Sequence, residues 1–229
     1  MPSSHCSQIN EIVQLIIDIN PEKLLDIGVG FGKYGFLARE YLELWDGRQE
    51  YKAWERKIDG IEVFEEYLTP VHDFVYSKIF VGNAIDILPT LDEEYDLILL
   101  IDVLEHFDYG EGLTILKECD KLGRNIIISM PKDIGSQSDS FGNIYETHKF
   151  QWERKHFNNF TDKFILPDTG RSLIVCIGEG FKDISTFKKY KRFKWALGRA
   201  KKIAVQILNF FHLKDPIKGF LGKFFQFHS

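Results

Sequence analysis

Cysteine is scarce: the 229 residues include three, Cys6, Cys119 and Cys176, far apart and with no C-x-x-C pair. That spacing excludes a disulfide framework and a cysteine zinc site, and it leads us to expect a reducing, cytoplasmic setting. Long apolar runs are missing as well; none reaches the ~20 residues that a membrane-spanning helix needs. The apolar stretch from Ile9 to Ile19 is interrupted by Glu11, Gln14 and Asp18 and lacks both a basic leader and a small-residue cleavage site. It reads as an amphipathic helix and not as a signal peptide. No phosphate loop of the form G-x-x-x-x-G-K-[ST] is present, because Lys33 stands outside that pattern, and no nucleophile elbow occurs. The histidines show no metal-ligand spacing; Asp102, Glu105 and His106 could chelate in principle, but no metal is expected.

The small overall charge of −5 conceals an asymmetry. From Lys182 to Ser229 twelve Lys or Arg stand against Asp183 and Asp215, a net of +10, so the remaining residues carry −15. Two parts with different partners are expected, a domain over 1–180 and a basic tail over 181–229.

The most informative segment is Leu24 to Gly35, Leu-Leu-Asp-Ile-Gly-Val-Gly-Phe-Gly-Lys-Tyr-Gly. An apolar strand passes through an acid into a glycine-rich turn and then a helix, an arrangement that lets backbone approach a nucleoside ligand closely. Gly30, Gly32 and Gly35 formally satisfy the G-x-G-x-x-G of dinucleotide sites, a weak match on its own. Strands are expected at Lys23–Ile27, Ile58–Val63, Ser77–Val81, Tyr95–Ile101 and Asn125–Ser129. Helices are expected near Gln8–Ile19, Lys33–Leu44, Glu65–Asp73, Ala84–Leu91 and Gly110–Leu122. The alternation implies an α/β fold, a doubly wound, Rossmann-like and mostly parallel sheet. Asp162–Leu166 and Ser172–Gly178 flank Pro-Asp-Thr-Gly, a tight-turn sequence, so this sheet should end in an antiparallel hairpin.

Four segments resemble motifs of the class I methyltransferases that use S-adenosylmethionine. They are Leu-Leu-Asp26-Ile-Gly28-Val-Gly30, Asp59-Gly-Ile-Glu62, Val-Gly82-Asn83-Ala84-Ile-Asp86, and the run from Tyr95-Asp96 to Asp102-Val-Leu-Glu105-His106-Phe. The resemblance covers roughly residues 20 to 180 and implies S-adenosylmethionine as cofactor. Cofactor contacts then fall to Asp26, Gly28, Gly30, Glu62, Asn83, Ala84 and Asp102. Glu62 can accept hydrogen bonds from both ribose hydroxyls. Asn83, where the family commonly has Asp, and the Ala84 N–H can read adenine. Asp26 can fix the glycine turn by accepting backbone N–H bonds, receive the cofactor's amino group, or do both, and Asp102 faces the cofactor or shapes its loop. Glu62 lies 32 residues beyond Gly30, against about 20 in dinucleotide sites; the excess falls in Tyr41 to Arg56, a segment that could carry acceptor contacts.

For the methyl acceptor, a hydroxyl needs a base. His148 is the first candidate and His106 the second. His148 and Trp152 follow a Ser-Gln-Ser-Asp-Ser-Phe-Gly loop, together expected to form a lid over the acceptor. The tail carries a stripe of Phe193, Leu197, Ala200, Ala204, Ile207 and Phe211, many lysines and a Phe-rich end, a composition suited to an anionic membrane surface through 187–229. Packing on the domain or on a second subunit competes with that reading, and nucleic acid fits the continuous stripe less well. The resulting expectation is a peripheral methyltransferase, an O-methyltransferase of a small-molecule, glycan or lipid-linked acceptor. Its alternatives are a nicotinamide-dependent oxidoreductase and a catalytically silent cofactor-binding or membrane scaffold protein.

Overall fold

The computed structural model describes residues 4–44, 50, 53–166, 170–182 and 184. Seven strands form one sheet in the order β3-β2-β1-β4-β5-β7-β6: β1 Lys23–Ile27, β2 Lys57–Glu62, β3 Lys78–Val81, β4 Leu97–Ile101, β5 Asn125–Pro131, β6 Lys163–Ile165 and β7 Ser172–Gly178. The first five pair in parallel, and β7 is antiparallel to both β5 and β6. The chain order therefore reverses between β1 and β4, where a doubly wound sheet opens its binding crevice. The turn 167–169 of the expected hairpin lies outside the described residues.

Strand β4 reads Leu-Ile-Leu-Leu-Ile and is buried throughout, as a central parallel strand with helices on both faces must be. One face packs beneath α1 Ile9–Ile19 and α2 Lys33–Glu43, through Ile12, Leu15, Ile16, Ala38 and Leu42. The other packs beneath α5 Tyr109–Leu122, through Ile115, Leu116 and Cys119. Helix α1 ends where Asn20 turns left-handed before Pro21, and α5 begins with a reciprocal cap between Asp108 and Glu111.

Two expected helices are broken by proline. Glu65–Asp73 becomes a 3-10 turn, Glu65–Tyr67, and a separate α3, Pro70–Val75, because Pro70 drives Thr69 into extended backbone. Ala84–Leu91 is α4 Ala84–Ile87 running into a 3-10 turn Leu88–Thr90 around Pro89. The segment after α2 is fastened to the fold: buried Glu43 accepts the amides of Glu55 and Arg56, and Trp54 Nε1 donates to the Phe74 carbonyl. Among the described residues none from 41 to 56 lines the cavity below, so the expected acceptor contacts find no support in them.

The folded unit runs to Ile184, four residues beyond the boundary read from charge, because Phe181 and Ile184 belong to the core. Residues 185–229, and with them the expected membrane stripe, lie outside the described residues. Among the described residues no helix is long and apolar enough to cross a membrane.

Candidate functional site

A cavity of about 390 Å³ opens at the carboxyl ends of the parallel strands, a volume within the range of small-molecule sites. Gly28, Gly30, Glu62, Asn83, Ala84, Asp102, His106 and His148 all line it. Asp26 does not.

The glycine turn after β1 has positive φ at Gly28, Gly30 and Gly32, which glycine adopts without strain. It is tied to β2: the amides of Gly28 and Val29 both donate to the Ile61 carbonyl. The Gly30 amide donates to Glu62 Oε2 at 2.9 Å, and the Phe64 amide donates to Glu62 Oε1, also at 2.9 Å. Burial raises the Glu62 carboxyl above its ordinary range while these amides pull it down. The carboxylate has about four lone-pair sites and these amides, with that of Val63, do not fill them, so it can still accept a hydroxyl from the cavity. At Gly28 a Cβ would meet Val103 Cγ2 at 2.6 Å, so the glycine is required there by the loop after β4.

Asp26 is corrected from a cavity residue to an internal anchor. It is 2% exposed, and its Oδ2 accepts the Tyr76 hydroxyl at 2.7 Å. Burial drives its carboxyl up to about 7, reinforced by Glu62 and opposed by the Tyr76 and Gly35 hydrogen bonds. Its partners, the Tyr76 hydroxyl and the Gly35 amide, tie the end of β1 to the first turn of α2.

Asn83 Oδ1 accepts the Ile85 amide and so caps α4, which leaves the side-chain NH₂ as a donor. Asp102 has left-handed backbone and accepts from Ser129 Oγ and Gln8 Nε2, both at 2.7 Å. Burial raises its carboxyl, with Ser129, Gln8, Lys33 and His148 acting against that rise. Through Gln8, and through Ser4 against Lys33 and Tyr34, residues 4–8 are held to this end of the sheet, and Ser4 and His5 line the cavity. The sequence held no signal for that N-terminal wall.

The opposite wall is built by the turn Leu104–His106 and the segment around His148. The amides of Lys149 and Phe150 donate to the Glu105 carbonyl, and the His148 amide to the Gln137 carbonyl. His148 Nδ1 lies 2.6 Å from the Ile134 carbonyl and His106 Nδ1 3.3 Å from the Thr147 carbonyl. The two rings are 5.1 Å apart. Burial pushes the His106 imidazole down to about 4, against the pull of the Thr147 carbonyl, so it is neutral near pH 7. Trp152 is corrected from a lid residue to a core residue: it is 1% exposed and donates from Nε1 to the Leu104 carbonyl. His148 is thus held by hydrogen bonds on both sides. The exposed apolar side chains of this loop are Phe141, Ile144 and Tyr145, of which Tyr145 borders the cavity.

No family model and no curated protein sequence matches the chain. Solved structures similar to it include a candidate O-methyltransferase from Nostoc punctiforme, at TM-score 0.52 and 17% identity, covering 75% of this chain and 56% of that one. An O-methyltransferase family protein from Burkholderia thailandensis aligns at TM-score 0.52 and 11% identity, covering 74% of this chain and 56% of that one. The small RNA methyltransferase HEN1 aligns at TM-score 0.50 and 16% identity, covering 75% of this chain and 25% of that one. The chain spans little more than half the length of the first two. It has the fold of the class I methyltransferases.

Proposed function

We propose that this chain is an S-adenosylmethionine-dependent methyltransferase that methylates a hydroxyl. The observation that carries the choice of cofactor is the Gly30–Glu62 hydrogen bond. In a dinucleotide site the amides of the glycine turn face a pyrophosphate. Here the Gly30 amide is taken by a carboxylate, whose negative charge repels a phosphate at that place and whose free lone pairs suit ribose hydroxyls. A nucleoside without phosphates meets both conditions; the nicotinamide alternative has ribose hydroxyls too but fails the first, because its pyrophosphate would face the carboxylate.

When bound, S-adenosylmethionine supplies an electrophilic methyl on a sulfonium. Glu62 would hold its ribose, Asn83 and Ala84 its adenine, and Gly28 and Gly30 would let the backbone close on it. Asp102 faces the same end of the cavity and offers negative charge there. The other wall would receive the acceptor: a hydroxyl must lose its proton on attack, and His106 and His148, which line that wall, would take it up.

The acceptor class is a proposal of its own: a small molecule, glycan or lipid-linked precursor at an anionic membrane surface. Its support is the net charge of +10 from Lys182 onward, together with the exposed Phe141 and Ile144 in the loop that borders the cavity. The experiment is transfer of isotope-labelled methyl from S-adenosylmethionine into a lipid and glycan extract. Label in an alkali-stable ether supports the reading; cofactor binding without label in any pool favours the silent cofactor-binding protein.

A further inference from the structure

Glu105 has no part in the reaction described so far, yet it is 1% exposed and its Oε2 has no hydrogen-bond partner. A buried carboxylate oxygen without a partner is costly, and it calls for a cation. Two imidazoles stand beside it: one ligand atom each from Glu105, His106 and His148 lie within 4.8 Å of one another.

The second partners of those imidazoles define what they offer. Each Nδ1 faces a backbone carbonyl, that of Thr147 or that of Ile134. A carbonyl only accepts, so each Nδ1 carries the proton and each Nε2 keeps its lone pair. A histidine that donates one ring N–H to a carbonyl and presents the other nitrogen bare is oriented as metal-bound histidines are. The fold brings these residues together through the Glu105 carbonyl, which accepts the amides of Lys149 and Phe150 and so fixes His148 against the turn that carries Glu105 and His106.

We propose that Glu105, His106 and His148 bind a divalent first-row transition-metal cation, and that this cation holds the hydroxyl oxygen of the acceptor. Two imidazole nitrogens favour Mn²⁺, Fe²⁺, Co²⁺ or Zn²⁺ over Mg²⁺ and Ca²⁺, which prefer all-oxygen sites. Three protein ligands leave positions open for water or substrate. Asp102 stays outside the set because the group of ligand atoms within reach of one another is that of Glu105, His106 and His148, while Asp102 is engaged by Ser129 and Gln8. A coordinated hydroxyl ionises more readily: the O–H bond breaks, its proton passes to water in the cavity, and the electron pair stays on oxygen. His148 then acts as a ligand instead of as the proton acceptor. This catalytic role rests on the methyltransferase reading, whereas the cation site itself does not.

The test uses the full-length protein, stripped with a chelator and titrated with Mn²⁺ and with Zn²⁺ by calorimetry and thermal unfolding. One ion per chain and a metal-dependent rise in Tm are expected. Glu105→Gln, which keeps the side-chain volume, and His148→Ala should each weaken binding by on the order of 100-fold. Glu105→Gln should also raise the Tm of the metal-free protein, since it removes the buried carboxylate. No stoichiometric binding, or binding of wild-type strength in the two variants, overturns the site. S-adenosylhomocysteine is titrated in parallel into the metal-free protein. Nucleoside binding without metal binding removes the cation site alone, and metal binding without nucleoside binding removes the methyltransferase reading alone.

Discussion

The carboxylate of Glu62 accepts the amide of Gly30 at 2.9 Å and that of Phe64 at 2.9 Å, so the end of β2 shapes the turn that follows β1. Loss of this carboxylate leaves two amides without their acceptor and removes the proposed ribose contact together. Glu62→Ala should weaken S-adenosylmethionine binding by about 1.5–3 kcal/mol, the range for hydrogen bonds to a charged group. Glu62→Gln, which keeps one acceptor oxygen, should fall between the wild type and Glu62→Ala. Calorimetry on the folded variants checks both.

Gly28 is demanded by the protein's own packing, whatever the ligand. Its φ of +74° and the 2.6 Å approach of a Cβ to Val103 Cγ2 make Gly28→Ala destabilising by roughly 2–4 kcal/mol. In the Val103→Ala background the collision disappears and the positive φ remains, so part of the loss should return. Denaturant unfolding of the double-mutant cycle measures that part; strict additivity would contradict the contact.

Asp26 supplies a pH dependence. Its carboxyl is raised to about 7 in the folded protein, against 3.8 as the ordinary value. Between those values the unfolded chain has released the proton and the folded protein has kept it. Stability from this group is therefore full below about pH 4 and is lost as pH rises toward 7, at up to roughly 1.4 kcal/mol per pH unit. Asp26→Asn should flatten that fall. Urea midpoints at about pH 5 and about pH 7.5 in both proteins test it, on either side of the raised value, and equal slopes would contradict the assignment.

His148→Ala should lower turnover by ~10²–10⁴-fold while leaving S-adenosylhomocysteine affinity nearly intact, because the residue lies on the wall proposed to receive the acceptor. Steady-state kinetics with parallel calorimetry checks this, and an equal loss in both would move His148 to the cofactor side.

The tail can be tested by where the chain is cut. Ending the chain after Gly180 removes Phe181 and Ile184 from the core and should cost about 3–5 kcal/mol. Ending it after Ile184 should leave a folded domain that binds cofactor but no longer co-sediments with anionic vesicles. The full chain should co-sediment and be partly released by salt. Vesicles that recruit neither form would contradict the membrane reading.

Much of the sheet is legible in the sequence because its strands are short apolar runs closed by Gly, Asp or Asn, a pattern set by local chemistry; β1 falls on Lys23–Ile27 as expected. The hairpin strands are legible for the same reason. The two proline-broken helices carry a local signal, Pro70 and Pro89, that the apolar pattern masks. What is not legible depends on contacts between distant segments. Nothing near Trp152 tells that Gly112 on α5 leaves room for its ring, so an aromatic beside a polar loop reads as a lid. Asp26 resembles a ligand residue because Tyr76, its partner, lies 50 positions away. The Glu105, His106 and His148 cluster is hidden in the sequence because His148 reaches the other two only through contacts of the folded chain, among them the bonds at the Glu105 and Thr147 carbonyls.

A nucleoside without phosphates, held by Glu62, is the ligand on which the functional reading stands. Calorimetric titration of the full-length protein with S-adenosylhomocysteine and, separately, with NAD⁺ decides it. One S-adenosylhomocysteine per chain is expected, weakened in Glu62→Ala, with no heat from NAD⁺. Binding of NAD⁺ in place of S-adenosylhomocysteine, or S-adenosylhomocysteine affinity indifferent to Glu62, would refute it.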